Sequence, residues 1–128
     1  MNIKVSILND IFDMYITEHF REQSVLRGFS FKDDDLPDIL EKSYLIKNRP
    51  RNKLIMLRNN CEESIYLWNR NKGCIFVVGE NSKTHYFNIL KTIYSSKKSG
   101  WLKEWSDDNP KNTRVLLKNV ELNKLKID

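Results

Sequence analysis

Two histidines, His19 and His85, supply the only imidazoles of the 128-residue chain, and both have cations beside them in sequence. His19, Gln23 and Arg27 recur at i, i+4 and i+8, so a helix would place them on one face, with Arg21 nearby. His85 follows Lys83 and Thr84 at the head of a β-rich run that also holds Lys91, Thr92 and Tyr94. An imidazole titrates near neutrality and serves as general acid or base. A guanidinium offers forked donors to a phosphate. Tyr66, Trp68, Tyr86 and Tyr94 add π faces on which unpaired bases stack. The set suits phosphodiester cleavage without a metal: a base for the 2′-hydroxyl proton, donors for the phosphate, an acid for the 5′-oxygen. The expected catalytic residues are His19, Arg27 and His85, with Arg21, Lys83, Lys91, Thr92, Tyr94 and Trp68 as RNA contacts. Each also has a plainer reading, as a capping or surface histidine, a solvated cation or a core aromatic.

Other chemistries lack their motifs. There is no GxxxxGK[ST], no GxGxxG after a strand, no GxSxG and no HExxH. Cys61 and Cys74 show no CxxC spacing and no histidine at zinc-finger distance, so no metal or other cofactor is expected; two free thiols are the favoured reading, with a bridge between neighbouring strands as the alternative. A Cys74–His85 pair on adjacent strands is the remaining nucleophile arrangement, and no local signature supports it. Asp33, Asp34 and Asp35 read as the acidic first turn of a helix rather than a metal site. Charge divides unevenly: residues 1–50 carry seven Lys/Arg against nine Asp/Glu, residues 51–128 fifteen against eight. The basic half fits a polyanion such as RNA or DNA, or else simply keeps an exposed sheet soluble.

The elements that must position these groups centre on Ser64–Tyr94, three β-rich runs separated by turn signals at Asn69–Gly73 and Gly79–Lys83. Strict alternation puts Thr84, Tyr86, Asn88, Leu90, Thr92 and Tyr94 on one face and His85, Phe87, Ile89, Lys91 and Ile93 on the other. Upstream, Ile7, Leu8, Ile11, Phe12, Tyr15, Ile16 and Phe20 follow helical spacing over residues 6–26. A second reading keeps Asp13–Ile16 extended and starts a helix with Thr17 as its cap. Gly28 ends that helix, and a second follows with Pro37 early and Leu36, Ile39 and Leu40 buried. Residues 47–53 read as a basic connector, Leu54–Leu57 as the start of the sheet and Asn59–Glu63 as a turn. Beyond come a flexible basic loop at 95–100, a short helix with Trp101, Leu102 and Trp105, and Arg114–Val120 as a fifth strand or a closing segment. The tail from Glu121 is expected to fray. The chain has the length of one domain, with 1–46 helical, 53–120 forming the sheet and 121–128 the tail. The fold class expected is α+β, two N-terminal helices packed on a four- to five-stranded antiparallel sheet. With no run of about eighteen apolar residues and no signal-type leader, a cytoplasmic location is expected.

The residues from Thr17 to Ser30, TEHFREQSVLRGFS, followed by DLPDILEKS, resemble the H-x3-R-x3-R-G helix and second helix of RelE-type and RegB-like small ribonucleases. KGCIFVVGENSKTHYFNILKTIY is similar to their last hairpin, with Thr92, Ile93 and Tyr94 matching its end. The likeness covers about residues 14–95 and departs where Gln23 replaces the usual arginine, leaving Arg21 or Arg27 to supply the charge. It implies metal-independent RNA cleavage, often to a 2′,3′-cyclic phosphate, with His19 and Arg27 as the transferable pair. It also implies a bacterial or phage-infected cell and a cognate antitoxin, immunity or host protein as partner. Two rivals stand beside it: an interaction protein without chemistry, and a nucleic-acid-binding module without turnover.

Overall fold

The chain begins with strands. The computed structural model describes residues 1–47 and 64–126. Cys61, the Leu54–Leu57 run, the 59–63 turn and most of the 47–53 connector lie outside the described residues. Strands β1 (Asn2–Ile7) and β2 (Asp10–Ile16) form an antiparallel hairpin in the register Val5↔Phe12. They are followed by helix α1 (Glu18–Leu26), helix α2 (Leu36–Glu41) and strand β3 (Tyr44–Ile46). Then come β4 (Ser64–Asn69), β5 (Cys74–Glu80) and β6 (Phe87–Ser95), with a third helix, α3, at Trp101–Asp108. The six strands make one sheet in the order β1-β2-β6-β5-β4-β3, mixed because β2 runs parallel to β6.

The expectation of two N-terminal helices on a four- to five-stranded antiparallel sheet is therefore corrected: two strands precede the helices, the described sheet has six strands, and α3 follows it. The physical reason is legible in the burial. Ile3, Val5 and Ile7 on β1, and Phe12, Met14 and Ile16 on β2, are buried at a period of two, whereas Leu8, Ile11 and Tyr15 are exposed. Those three exposed apolar residues complete a false helical stripe. The turn between the strands is the two-residue type, with Leu8 at φ 51° and Asn9 at φ 63°. Such turns usually announce themselves with Asn-Gly or Asp-Gly, and a leucine conceals this one.

The second reading of the same stretch describes α1 correctly. Thr17 caps it, accepting from the Phe20 N–H at 3.1 Å, and donates to the Leu90 carbonyl at 2.9 Å, tying the helix start to β6. At the other end Gly28 takes φ 76°, the Phe29 N–H reaches the Ser24 carbonyl at 2.8 Å and the Gly28 N–H that of Val25 at 3.2 Å. This pair of bonds is a Schellman ending, which only glycine adopts at no steric cost. Helix α2 buries Leu36, Ile39 and Leu40 and carries Pro37 in its first turn, as expected.

One face of the sheet packs on α1 and α2 around Phe76, Leu67, Leu90, Ile93, Leu40 and Phe20. Each fully buried large side chain there contributes roughly 1.5–3 kcal/mol. The opposite face is covered by α3 over the β3–β5 half, where Leu102 and Trp105 meet Ile46, Tyr66, Trp68, Ile75 and Val77. The C-terminal chain then wraps the core. Arg114–Val120 is a closing segment and not a full fifth strand: the Leu45 N–H donates to the Val115 carbonyl at 2.9 Å, and Leu116 makes a single bridge to Tyr44. Nor does the tail fray from Glu121, since Leu125 is fully buried and Lys126 bridges Tyr86. No helix among the described residues is long and apolar enough to cross a membrane.

Candidate RNA-contact site at the edge of β6

Beyond Leu90, β2 has ended and, among the described residues, the outer edge of β6 has no strand beside it, because the parallel pairing stops at Ile16↔Leu90. Helix α1 takes that place. Arg27, the C-cap residue, reaches across from the Schellman ending and donates from Nη1 to the Ile93 carbonyl, with the Thr92 hydroxyl 3.4 Å from the same nitrogen. Its guanidinium carbon lies 4.5 Å from the centroid of the Tyr94 ring. An unpaired backbone carbonyl at a sheet edge is thus satisfied by a cation that also stacks on an aromatic face. Arg27 remains exposed, Tyr94 is 40% exposed, and no other partner of the guanidinium exists among the described residues. One nitrogen fixes the side chain while the remaining N–H groups stay open to a ligand, a preorganised arrangement for a phosphate oxygen.

Lys91 joins this corner through a distortion of the strand. The β5–β6 register slips between Val77 and Val78 and again between Gly79 and Glu80. These bulges overturn the strict alternation expected for β6, so that Phe87, Leu90 and Ile93 all enter the same core. The Lys91 stem is turned across Gly79, where a Cβ would collide with it. The pairs Val77↔Thr92 and Ile75↔Tyr94 put Thr92 and Tyr94 on that same face. Of the nine residues singled out in the sequence, Arg27, Thr92 and Tyr94 are therefore brought into contact, and Lys91 shares the face of β6 that carries Thr92 and Tyr94.

The other five are not. His19 is exposed near the start of α1, about 12 Å along the axis from Arg27 at 1.5 Å per residue. Arg21 is engaged by Asp33 in a two-pronged pair, both contacts 3.0 Å, which raises the arginine pKa and lowers that of the aspartate through hydrogen bonding. Trp68 is 9% exposed and lies beneath α3 against Trp105, so it presents no stacking face. Arg114 lies 5.4 Å from its ring centroid. Tyr66 is buried too, and Tyr86 lies against Phe12 and under the Lys126 ammonium.

Lys83 and His85 sit in the β5–β6 turn, roughly 20 Å from Thr92 at about 3.3 Å per strand residue. His85 has φ 62°, uncommon for a non-glycine residue, and its Nδ1 is 2.6 Å from the Glu80 carboxylate. That contact orients the ring and turns Nε2 away from the carboxylate, the relation seen where a carboxylate positions a general base. In-line cleavage needs both proton carriers within hydrogen-bond reach of one phosphate. His19, Arg27 and His85 do not form one such constellation. Cys74 is buried and its thiol is pushed up to about 12 by burial, which removes it as a nucleophile.

Sequence reasoning passed over Tyr15, which it placed on a helix stripe; the structure leaves this ring 47% exposed on β2, opposite Ile89 of β6. Only the parallel pairing could have revealed that neighbourhood. Comparison with protein-family models, with curated proteins and with solved structures gave no match.

Proposed function

We propose that this chain binds single-stranded RNA at the Arg27–Tyr94 corner, holding a phosphate on the guanidinium and an unpaired base against the exposed aromatic surface. The observation that carries this reading is the anchored Arg27, tied to the β6 edge through Nη1 and stacked at 4.5 Å on Tyr94 beside Lys91. The basic excess of residues 51–128 adds long-range attraction for a polyanion. The resemblance of Thr17–Ser30 to small-ribonuclease helices points to RNA rather than DNA. The test is fluorescence anisotropy with a labelled oligouridylate and a matched DNA. Binding should weaken steeply with salt, and Arg27→Ala and Tyr94→Leu should each lower affinity about tenfold. Unchanged affinity in both variants sinks the reading.

Cleavage without a metal is a second reading: the carboxylate-oriented imidazole of His85 speaks for it, and the separation of His85 from the Arg27 corner speaks against it, so the scissile phosphate would have to lie at the β5–β6 turn. It predicts shortened RNA after incubation with EDTA, and loss of at least about a hundredfold in rate for His85→Ala. Intact RNA at micromolar protein would leave a binding module. Should no RNA bind at all, Val25 and Leu26, 76% and 77% exposed beside Arg27, favour a protein-docking surface instead.

A further inference from the structure

The same face of the sheet continues past the Arg27 corner toward β2. Phe12, Met14 and Ile16 point into the core, so Ile11, Asp13 and Tyr15 point the other way. Through the register Tyr15↔Ile89↔Gly79, and through Val77↔Thr92 and Ile75↔Tyr94, the ring of Tyr15 stands on the face that carries Lys91, Thr92 and Tyr94. Among the described residues, helix α3 covers this face over β3–β5 and no other helix lies on it. The half formed by β1, β2 and β6 thus shows two exposed rings, Tyr15 at 47% and Tyr94 at 40%, with Lys91 between them along β6. The acid on this stretch, Asp13, is neutralised by Lys4 directly across the hairpin. The surplus charge of the stretch is that of Lys91 and Arg27.

We propose that this half-face is a track for several nucleotides of single-stranded RNA, with Tyr94 and Tyr15 as stacking platforms at its ends and Lys91 meeting the phosphates between them. The inference rests on the RNA-binding reading and adds to it a second platform and a site size. Five residues of β6 separate the register of Tyr15 from Tyr94, about 17 Å at about 3.3 Å per residue. Four to five stacked nucleotides cover that span at about 3.4 Å each. A ring at either end, and cations where the backbone must pass, match how proteins hold single strands with little regard to sequence.

The experiment compares oligouridylates of about three and about eight nucleotides by anisotropy, using the full chain. Wild type should bind the longer one more tightly. Tyr15→Thr, which keeps a β-branched residue in the strand, should weaken the longer oligomer about tenfold toward the affinity of the shorter and leave the shorter unchanged. Tyr15→Phe should restore wild-type binding, and circular dichroism should show all variants folded. Tyr94→Leu should weaken both lengths. If wild type binds both and Tyr15→Thr changes neither, or weakens both equally, the track is overturned while the Arg27 corner stands. If wild type binds neither, the RNA reading falls and takes the track with it.

Discussion

Arg27 closes a sheet edge and presents a cation, and the two uses separate on substitution. Arg27→Lys keeps the charge but loses the fork and the flat contact with Tyr94, so it should retain part of the RNA affinity that Arg27→Ala loses. Both variants give up the bond to the Ile93 carbonyl, and urea unfolding should report about 1 kcal/mol of lost stability. Arg21 illustrates the opposite fate of a surface cation. Its pairing with Asp33 holds that carboxyl below its ordinary range, chiefly through the hydrogen bonds. The contribution of the pair is therefore complete above the unfolded pKa near 3.9 and is lost as pH falls through the depressed folded value. Both side chains are about a third or more exposed, which keeps the effect within about 1 kcal/mol. Asp33→Asn should lower the urea midpoint slightly at neutral pH, and the gap from wild type should close as pH falls below the ordinary carboxylate range.

Among the elements, the β1–β2 hairpin departs most from local sequence rules. Leu8 and Asn9 both occupy the left-handed region, at φ 51° and 63°. The double substitution Leu8→Asn, Asn9→Gly supplies the pair this turn favours, and should stabilise the chain by roughly 1 kcal/mol, read as a higher melting temperature. The β5–β6 bulge offers a second measurement. Gly79→Ala forces the Lys91 stem aside and should destabilise by about 1 kcal/mol, and Lys91→Ala in the same chain should recover most of that loss. Additive losses in that cycle would mean the lysine does not lie across Gly79.

At the scale of the whole molecule, the C-terminal chain is what closes the core. Leu117, Val120 and Leu125 are buried in the cluster that also holds β1, β2 and α2 residues. Arg114 fastens the start of this segment to the end of α3, donating to the Asn109 carbonyl at 2.9 Å and the Ser106 hydroxyl at 3.0 Å. The segment passes β3 at Val115 and β1 at Lys118, whose carbonyl accepts from the Leu8 N–H at 2.7 Å. The segment thus covers backbone of edge strand β3 and of the turn that follows β1. Leu125→Ala should thus cost about 2–5 kcal/mol, the range for an emptied core leucine, despite lying three residues from the end of the chain. Wild-type stability in that variant would show the tail to be peripheral.

By itself the sequence determined the local features whose cause is local. Gly28 ends a helix that one of two readings starts at Thr17, Pro37 and the buried Leu36, Ile39 and Leu40 make the next, and branched residues from Ser64 onward make strands. Their backbone preferences and side-chain bonds act within a few residues. It also singled out Arg27, Thr92 and Tyr94, which lie in contact, and Lys91 on the same face of β6, while their role stays a proposal. Tertiary structure decided the rest. The apolar spacing of residues 7–20 satisfies a helix and a hairpin alike, and the choice falls to the pairing of β2 with β6, some seventy residues apart in sequence. That same pairing sets which rings share an open face, and two slipped registers decide where each side chain of β6 points. Trp68 was buried and Tyr15 exposed by contacts that no window of adjacent residues contains.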